Sequence, residues 1–176
     1  MLSTMPSDLL LMLCGQRWLL PVLAGFQPRG GARFAELLGS IGLPRDSLAR
    51  ALDIARAQGW IMANPGHGHP LRPEWVLTAS GQKVADLAGV IAERMKELGL
   101  TSPDLTRWSL PVLQALLSGA DRFNQLVRQL APASPRALSQ TLQVLVANDL
   151  VGREVEDGFP PSSRYRLTER GLLLAG

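Results

Sequence analysis

A chain of 176 residues has room for one ordinary domain or two small ones, and 46% hydrophobic content is enough to bury a core, which excludes wholesale disorder. Aromatic residues make up only 5%, so Leu, Ala and Val dominate the apolar set, a palette that favours helices over sheets. The net charge is just +3, but 16 of the 18 basic residues are Arg, Lys83 and Lys96 being the exceptions; this balance permits nucleic-acid binding without requiring it. The lone cysteine, Cys14, allows no intrachain disulfide, and a reducing cytoplasm is the expected setting.

The first apolar stretches, Leu9 to Leu13 and Trp18 to Leu23, are interrupted by Gln16 and Arg17. Neither approaches the roughly 18 apolar residues of a membrane span, so the segment reads as a buried helix ending near Ala24, with no membrane partner expected. A Gly-rich turn follows, then a short helix from about Arg33 and a third helix after Pro44, with Leu48 and Leu52 facing inward. Gly59 stops that helix. Trp60 to Ala63 and Trp75 to Leu77 read as two strands joined by a Gly/Pro/His loop, with Trp75 and Leu77 facing the core. From Ser80 to Leu98, the residues Val84, Leu87, Ala88, Ile91, Met95 and Leu98 form an apolar stripe at helical spacing, broken by Gly99 to Pro103.

The same order then recurs. Arg17-Trp18-Leu19-Leu20-Pro21-Val22-Leu23 returns as Arg107-Trp108-Ser109-Leu110-Pro111-Val112-Leu113, with six of seven positions alike at an offset of 90. Arg33-Phe34 and Leu37 pair with Arg122-Phe123 and Leu126; Leu48 and Leu52 pair with Leu138 and Leu142. Leu77-Thr78 and Gly81 pair with Leu167-Thr168 and Gly171. Shared order at nearly constant spacing predicts a duplicated unit. In the second copy Ser134-Pro135 is a strong helix start, Asn148-Asp149 a stop, and Tyr165 and Leu167 are the inward residues of the second strand. Few residues follow Gly171, so no second long helix is expected.

Three helices followed by a two-stranded hairpin is the winged helix-turn-helix layout. The predicted class is therefore mainly α with small β-hairpin wings (α+β): two tandem winged helix-turn-helix domains, 1–79 and 100–176, joined by a connecting helix over 80–99. The second copy, with Trp108, Arg122-Phe123-Asn124-Gln125-Leu126, Ser134-Pro135-Arg136-Ala137-Leu138-Ser139, Pro160-Pro161 and Tyr165-Arg166-Leu167-Thr168, resembles the HxlR-type regulators, relatives of the MarR and PadR groups. The resemblance implies sequence-specific binding of double-stranded DNA in transcriptional control. Members of that family usually carry one domain and pair as homodimers, so it also implies that this chain builds the pair covalently. A redox-sensing cysteine often precedes their first tryptophan; Cys14, four residues before Trp18, has the phase of a buried residue.

A recognition helix buries one stripe and presents the other to the major groove. In the second copy that outer stripe holds Arg136, Ser139, Gln140 and Gln143, with no acid among them. Arg153, Arg164 and Arg166 on the wing and Arg122 at the start of the second helix are the expected phosphate contacts. The first copy offers Arg33, Arg45 and Arg50, but Asp46 and Asp53 stand where the second has Arg136 and Gln143, and Glu74 where it has Arg164. An asymmetric binder dominated by the second copy is expected. The alternative is a tandem winged-helix protein-interaction scaffold of the chromosome-organising kind, without specific DNA binding; a homodimer and a protein partner on the first domain both stay open. His67 and His69 are too few to hold a metal, and no catalytic motif, metal site or cofactor is expected. The expected location is the cytoplasm, on the nucleoid.

Overall fold

A computed structural model of the chain describes residues 2, 6–27, 29–69, 72–156 and 162–176. Pro160 and Pro161 lie outside the described residues, as do the side chains of His67 and His69. The contacts divide the chain into two compact units, Gln16–Arg94 and Met1–Gly15 with Met95–Gly176.

The unit of residues 16–94 runs α2 (Leu19–Ala24), β1 (Gly31–Arg33), α3 (Phe34–Ile41), α4 (Arg45–Ala57), β2 (Ile61–His69), β3 (Arg72–Leu77) and most of α5 (Ala79–Glu97). Its antiparallel sheet has the order β1-β3-β2, with Ala32 opposite Trp75 and Arg33 opposite Glu74. The core gathers Leu19, Val22, Leu23, Phe26, Leu37, Leu48, Ala55 and Ile61, each 2% exposed or less. Complete burial of a Leu contributes roughly 1.5–3 kcal/mol, so the inward spacing of these residues fixes which helix faces meet. Gly42 ends α3 with φ 70° and Gly59 follows α4 with φ 68°, a left-handed backbone that glycine adopts without a Cβ penalty.

The other unit contains α1 (Ser7–Gly15), a 3-10 turn at Ser102–Asp104, α6 (Ser109–Leu117), α7 (Phe123–Gln129), α8 (Pro135–Ala147), β4 (Val151–Glu156), β5 (Ser162–Leu167) and α9 (Glu169–Ala175). α6 is its axis: every residue from Ser109 to Ala115 is buried, and α1, α7, α8, α9 and β5 all touch it. Ser134 caps α8 by accepting the Ala137 amide at 3.2 Å, and Pro135 occupies the first turn, where its missing N–H costs nothing. Leu138, Leu142 and Leu145 bury the inner face of α8.

The repeated Leu-Thr…Gly motif has one physical explanation in both units. Thr78 and Thr168 each accept an amide from three residues ahead, Gly81 and Gly171, at 3.0 Å. Each threonine hydroxyl also donates at 2.6 Å to the carbonyl at the preceding helix exit, Gly59 or Asp149. The motif thus clamps the start of the last helix onto the start of the hairpin. A Cβ on Gly81 would lie 1.8 Å from the Trp60 oxygen, and one on Gly171 would lie 2.0 Å from the Leu150 oxygen. Only glycine permits this approach.

Three features differ from the sequence expectation. The N-terminal apolar segment is two helices, α1 and α2, broken at Gln16–Trp18, rather than one. Its first part groups with residues 95–176, because Gln114 donates to the Leu2 carbonyl at 2.7 Å and accepts from the Ser7 hydroxyl at 3.2 Å, a contact 107 residues apart in sequence. The grouping therefore crosses the boundaries expected at residues 79 and 99, and α5 passes through the division at Arg94–Met95. Lastly, Trp75, Leu77, Tyr165 and Leu167 are half-buried rather than sealed in the core.

Candidate nucleic-acid interface

The two turns of α8 that follow Ser134 present Arg136, Ser139, Gln140 and Gln143 to solvent, at spacings of three and four residues that keep them on one face. The opposite face is held down by Leu138, Leu142, Leu145 and by Thr141, whose hydroxyl meets that of Thr106 at 2.8 Å. The helix is thereby fixed in rotation, and its outer stripe contains one guanidinium, one hydroxyl and two carboxamides. Arg136 makes no ion pair with a described residue. Such a set can donate to guanine and adenine edges in a major groove.

Beside this face lies a groove of about 350 Å³ between α8 and the hairpin, bordered by Ser139, Gln143, Val146, Arg153 and Tyr165. Tyr165 is thus half-buried on the wall of this groove, as Trp75 is on the groove beside α4. Arg153 is exposed, and its Nε donates to Ser163 at 3.1 Å. Arg166 meets Glu154 at 3.5 Å with both side chains about 60% exposed (63% and 61%), a contact too screened to hold either group firmly.

Arg122 and Arg164 are placed differently. Arg164 lies between two carboxylates, donating to Asp121 at 2.7 Å and, through Nε, to Glu156. Arg122 donates to Glu156 at 2.9 Å and to the Ser162 hydroxyl at 3.0 Å, and Ser162 donates in turn to Glu156. The hydrogen bond from Arg164 is the main reason the Glu156 carboxyl is held below its ordinary pKa, and the same bond raises that of Arg164. Both arginines were expected as phosphate contacts; here each is tied to carboxylates, Glu156 standing beside the loop end of the hairpin. Asp121 and Glu156 were missed from sequence. The hairpin register, which sets Glu154 opposite Arg164 and Glu156 opposite Ser162, was the signal available for Glu156; nothing local marked Asp121.

In residues 16–94 the corresponding helix α4 exposes Arg45 and Arg50 together with Asp46 and Asp53. Arg45 lies over the Phe34 ring at 5.1 Å, and Asp53 pairs with Arg56 at 3.6 Å. Arg33 is exposed, with its backbone N–H on Glu36 at 2.9 Å. Glu74 accepts from the Asn64 carboxamide at 2.6 Å. A groove of about 750 Å³ runs past Arg33, Phe34, Arg45, Leu52, Asp53 and Trp75. This face mixes both charge signs around an aromatic floor, unlike the acid-free stripe of α8. Among the described residues no three His, Cys, Asp or Glu side chains converge as metal ligands. No helix is long and apolar enough to cross a membrane among the described residues.

Residues 105–176, from the turn before α6 to the end of α9, match the family described as HxlR-like helix-turn-helix. This segment is an HxlR-like helix-turn-helix domain. Similar proteins include the Escherichia coli (strain K12) protein named uncharacterized HTH-type transcriptional regulator YtfH, 35% identical over 66 residues, covering 38% of this chain and 52% of that protein. The HTH-type transcriptional regulator YodB of Bacillus subtilis (strain 168) is 31% identical over 68 residues, covering 39% and 61%. The uncharacterized HTH-type transcriptional regulator Rv3095 of Mycobacterium tuberculosis (strain ATCC 25618 / H37Rv) is 40% identical over 65 residues, covering 37% and 40%. The chain spans about half the length of these curated relatives. A crystal structure described as a MarR-family transcriptional regulator from Enterococcus faecalis V583 aligns with a TM-score of 0.40 at 27% identity, over 48% of this chain and 71% of that one.

Proposed function

We propose that this chain is a DNA-binding transcriptional regulator whose HxlR-like domain inserts α8 into the major groove. The observation that supports this most directly is the exposed, acid-free stripe Arg136, Ser139, Gln140 and Gln143 on a helix whose other face is buried. In this reading those four side chains read base edges, while Arg153 and Arg166 contact phosphates from the wing.

Residues 16–94 follow the same order of helices and hairpin, and the proposal takes them as a second winged module that makes the chain a covalent pseudo-dimer. Asp46, Asp53 and Glu74 repel phosphates, so the module of residues 95–176 dominates DNA contact, with Arg33, Arg45 and Arg50 as auxiliary backbone contacts of the other. The mixed charges and aromatic groove of residues 16–94 favour a second reading for that half alone, a surface for a protein partner. The cytoplasm, at the nucleoid, is the setting both readings imply.

The test is fluorescence anisotropy of the full chain on the DNA upstream of its own gene, against a scrambled duplex, over a salt series. Specific binding on the order of a thousandfold tighter than to the scrambled duplex at physiological salt supports a regulator. Arg136→Ala then costs about 1–3 kcal/mol and relaxes specificity at one base pair. Equal, weak binding to both duplexes that vanishes together with salt, here and across a wider set of genomic fragments, refutes specific recognition and leaves the scaffold reading.

A further inference from the structure

The hairpin β4–β5 is a two-stranded ribbon, an element that is marginal by itself and needs support from the rest of its domain. Its backbone tie to the start of α7 is slight: an isolated bridge between Arg122 and Arg164, and the Tyr165 amide on the Asp121 carbonyl at 2.8 Å. In residues 16–94 the same place is occupied by a complete strand, β1, in register with β3 at three positions. Where the strand is missing, the ionic network stands. Asp121 and Arg122 lead into α7, Glu156 ends β4, and Ser162 and Arg164 belong to β5, so the network joins both strands of the wing to the helix-turn-helix.

We infer that Glu156, with Asp121, Arg122 and Arg164, positions the wing for DNA rather than contacting DNA, an inference that rests on the DNA-binding reading above. The two guanidiniums are matched by two carboxylates, and all four side chains are between 32% and 39% exposed. Turning Arg122 or Arg164 to a phosphate would leave Glu156 or Asp121 unmatched beside a polyanion, which opposes the exchange. Arg136, Arg153 and Arg166 are already exposed and serve the contact role. The corresponding positions in residues 16–94 keep Arg33 but carry Ala32, Gly66 and Glu74, so the four-residue set is absent there. The latch accompanies the acid-free recognition face, and the mixed-charge face lacks it.

The opposing charge effect makes the test one of sign. If Glu156 acted only through its charge, Glu156→Gln would remove repulsion and tighten DNA binding. As a positioning residue, its loss weakens specific binding by on the order of tenfold, equivalent to about 1.4 kcal/mol. Arg164→Gln weakens binding to a similar degree while leaving the slope of log affinity against log salt unchanged, whereas loss of a phosphate contact lowers that slope by about 0.9. The double variant is no weaker than the worse single one, because the two act through the same contact. Tighter binding by Glu156→Gln, or a slope reduced by about one in Arg164→Gln, overturns the inference. Amide hydrogen exchange of the free full chain gives a reading that does not need DNA: exchange across residues 162–167 is faster in Glu156→Gln, while α8 keeps its protection and so reports a folded domain. Unchanged exchange in β5 overturns the latch even if DNA binding holds. If the wild-type chain selects no duplex, the regulator reading fails, and the exchange result still decides whether the network holds the wing.

Discussion

Gly171→Ala is the most informative single substitution in this fold, because two opposing effects of known size meet at one atom. Alanine is worth up to about 1 kcal/mol over glycine inside a helix, so propensity alone predicts stabilisation in α9. The structure predicts the reverse. The new Cβ would sit 2.0 Å from the Leu150 oxygen and 3.0 Å from its carbon, both backbone atoms. Relief requires the last helix and the hairpin strand to separate by about 1 Å, since real Cβ contacts shorter than 3.0 Å essentially do not occur. That movement weakens the Thr168 amide bond to the same Leu150 oxygen (3.2 Å) and the Thr168 hydroxyl bond to Asp149 (2.6 Å). Overpacking of this kind costs about 1–3 kcal/mol and a lost hydrogen bond about 1 kcal/mol. With the propensity gain set against them, the net loss is about 2 kcal/mol, or on the order of 10 °C in Tm for a domain of this size. The assay is urea unfolding of the full chain with hydrogen exchange resolved by segment, so that the two units are read separately. Gly39→Ala is the matched control: it lies in α3 with nothing within 4 Å of the new Cβ, and it stabilises by about 0.5–1 kcal/mol. A Gly171→Ala variant as stable as wild type, or more stable, would refute the close-approach account of the Leu-Thr…Gly motif.

Other perturbations follow from the same contacts. Ser134→Ala removes the oxygen that accepts the Ala137 amide at the start of α8 and lowers stability by about 1 kcal/mol in urea titrations; no change would mean the cap is replaced by water at no cost. Desolvation pushes the thiol of the half-buried Cys14 up to about 12, outweighing the attraction of Arg107, so the thiol stays protonated at pH 8. Thiol-reagent labelling of the native chain is therefore far slower than in urea, and equal rates would contradict the burial. Glu156, facing Arg122, Arg164, Ser162 and the neighbouring Asp121, has its pKa lowered on folding, first by the hydrogen bond from Arg164. Its stabilisation is complete above the ordinary carboxylate value of 4.5 and is lost as pH falls through the lower folded value. The wild-type wing accordingly loses exchange protection below about pH 4.5 more steeply than Glu156→Gln does, and parallel curves would show the carboxylate to be uncoupled.

The elements of this protein were legible in sequence because their signals are local. Leucines four and three residues apart at 138, 142 and 145 identify the inner face of α8, and by exclusion they identify Arg136, Ser139, Gln140 and Gln143 as the outer one. Ser134-Pro135 marks a helix start, and the Leu-Thr…Gly repeat marks a join whose tightness explains why glycine stands there twice. The helix face and the helix start depend on neighbours within one or two turns, so residue type and spacing suffice, and the join, though made with a segment about 20 residues back, shows itself by recurring in both halves of the chain. The charges of the wing were not legible in the same way. Arg122 and Arg166 look alike in sequence, yet one is tied to a carboxylate 34 residues away and the other is 63% exposed. Likewise β1 is three residues with no period of its own, made a strand only by β3 beside it. The first helix packs with residues 95–176 because Gln114, 107 positions along from Ser7, needs partners for a buried carboxamide. Periodicity determined which surfaces exist, and the tertiary structure decided which charges on them are spent on each other and which stay free for a partner, because pairing depends on where distant segments meet.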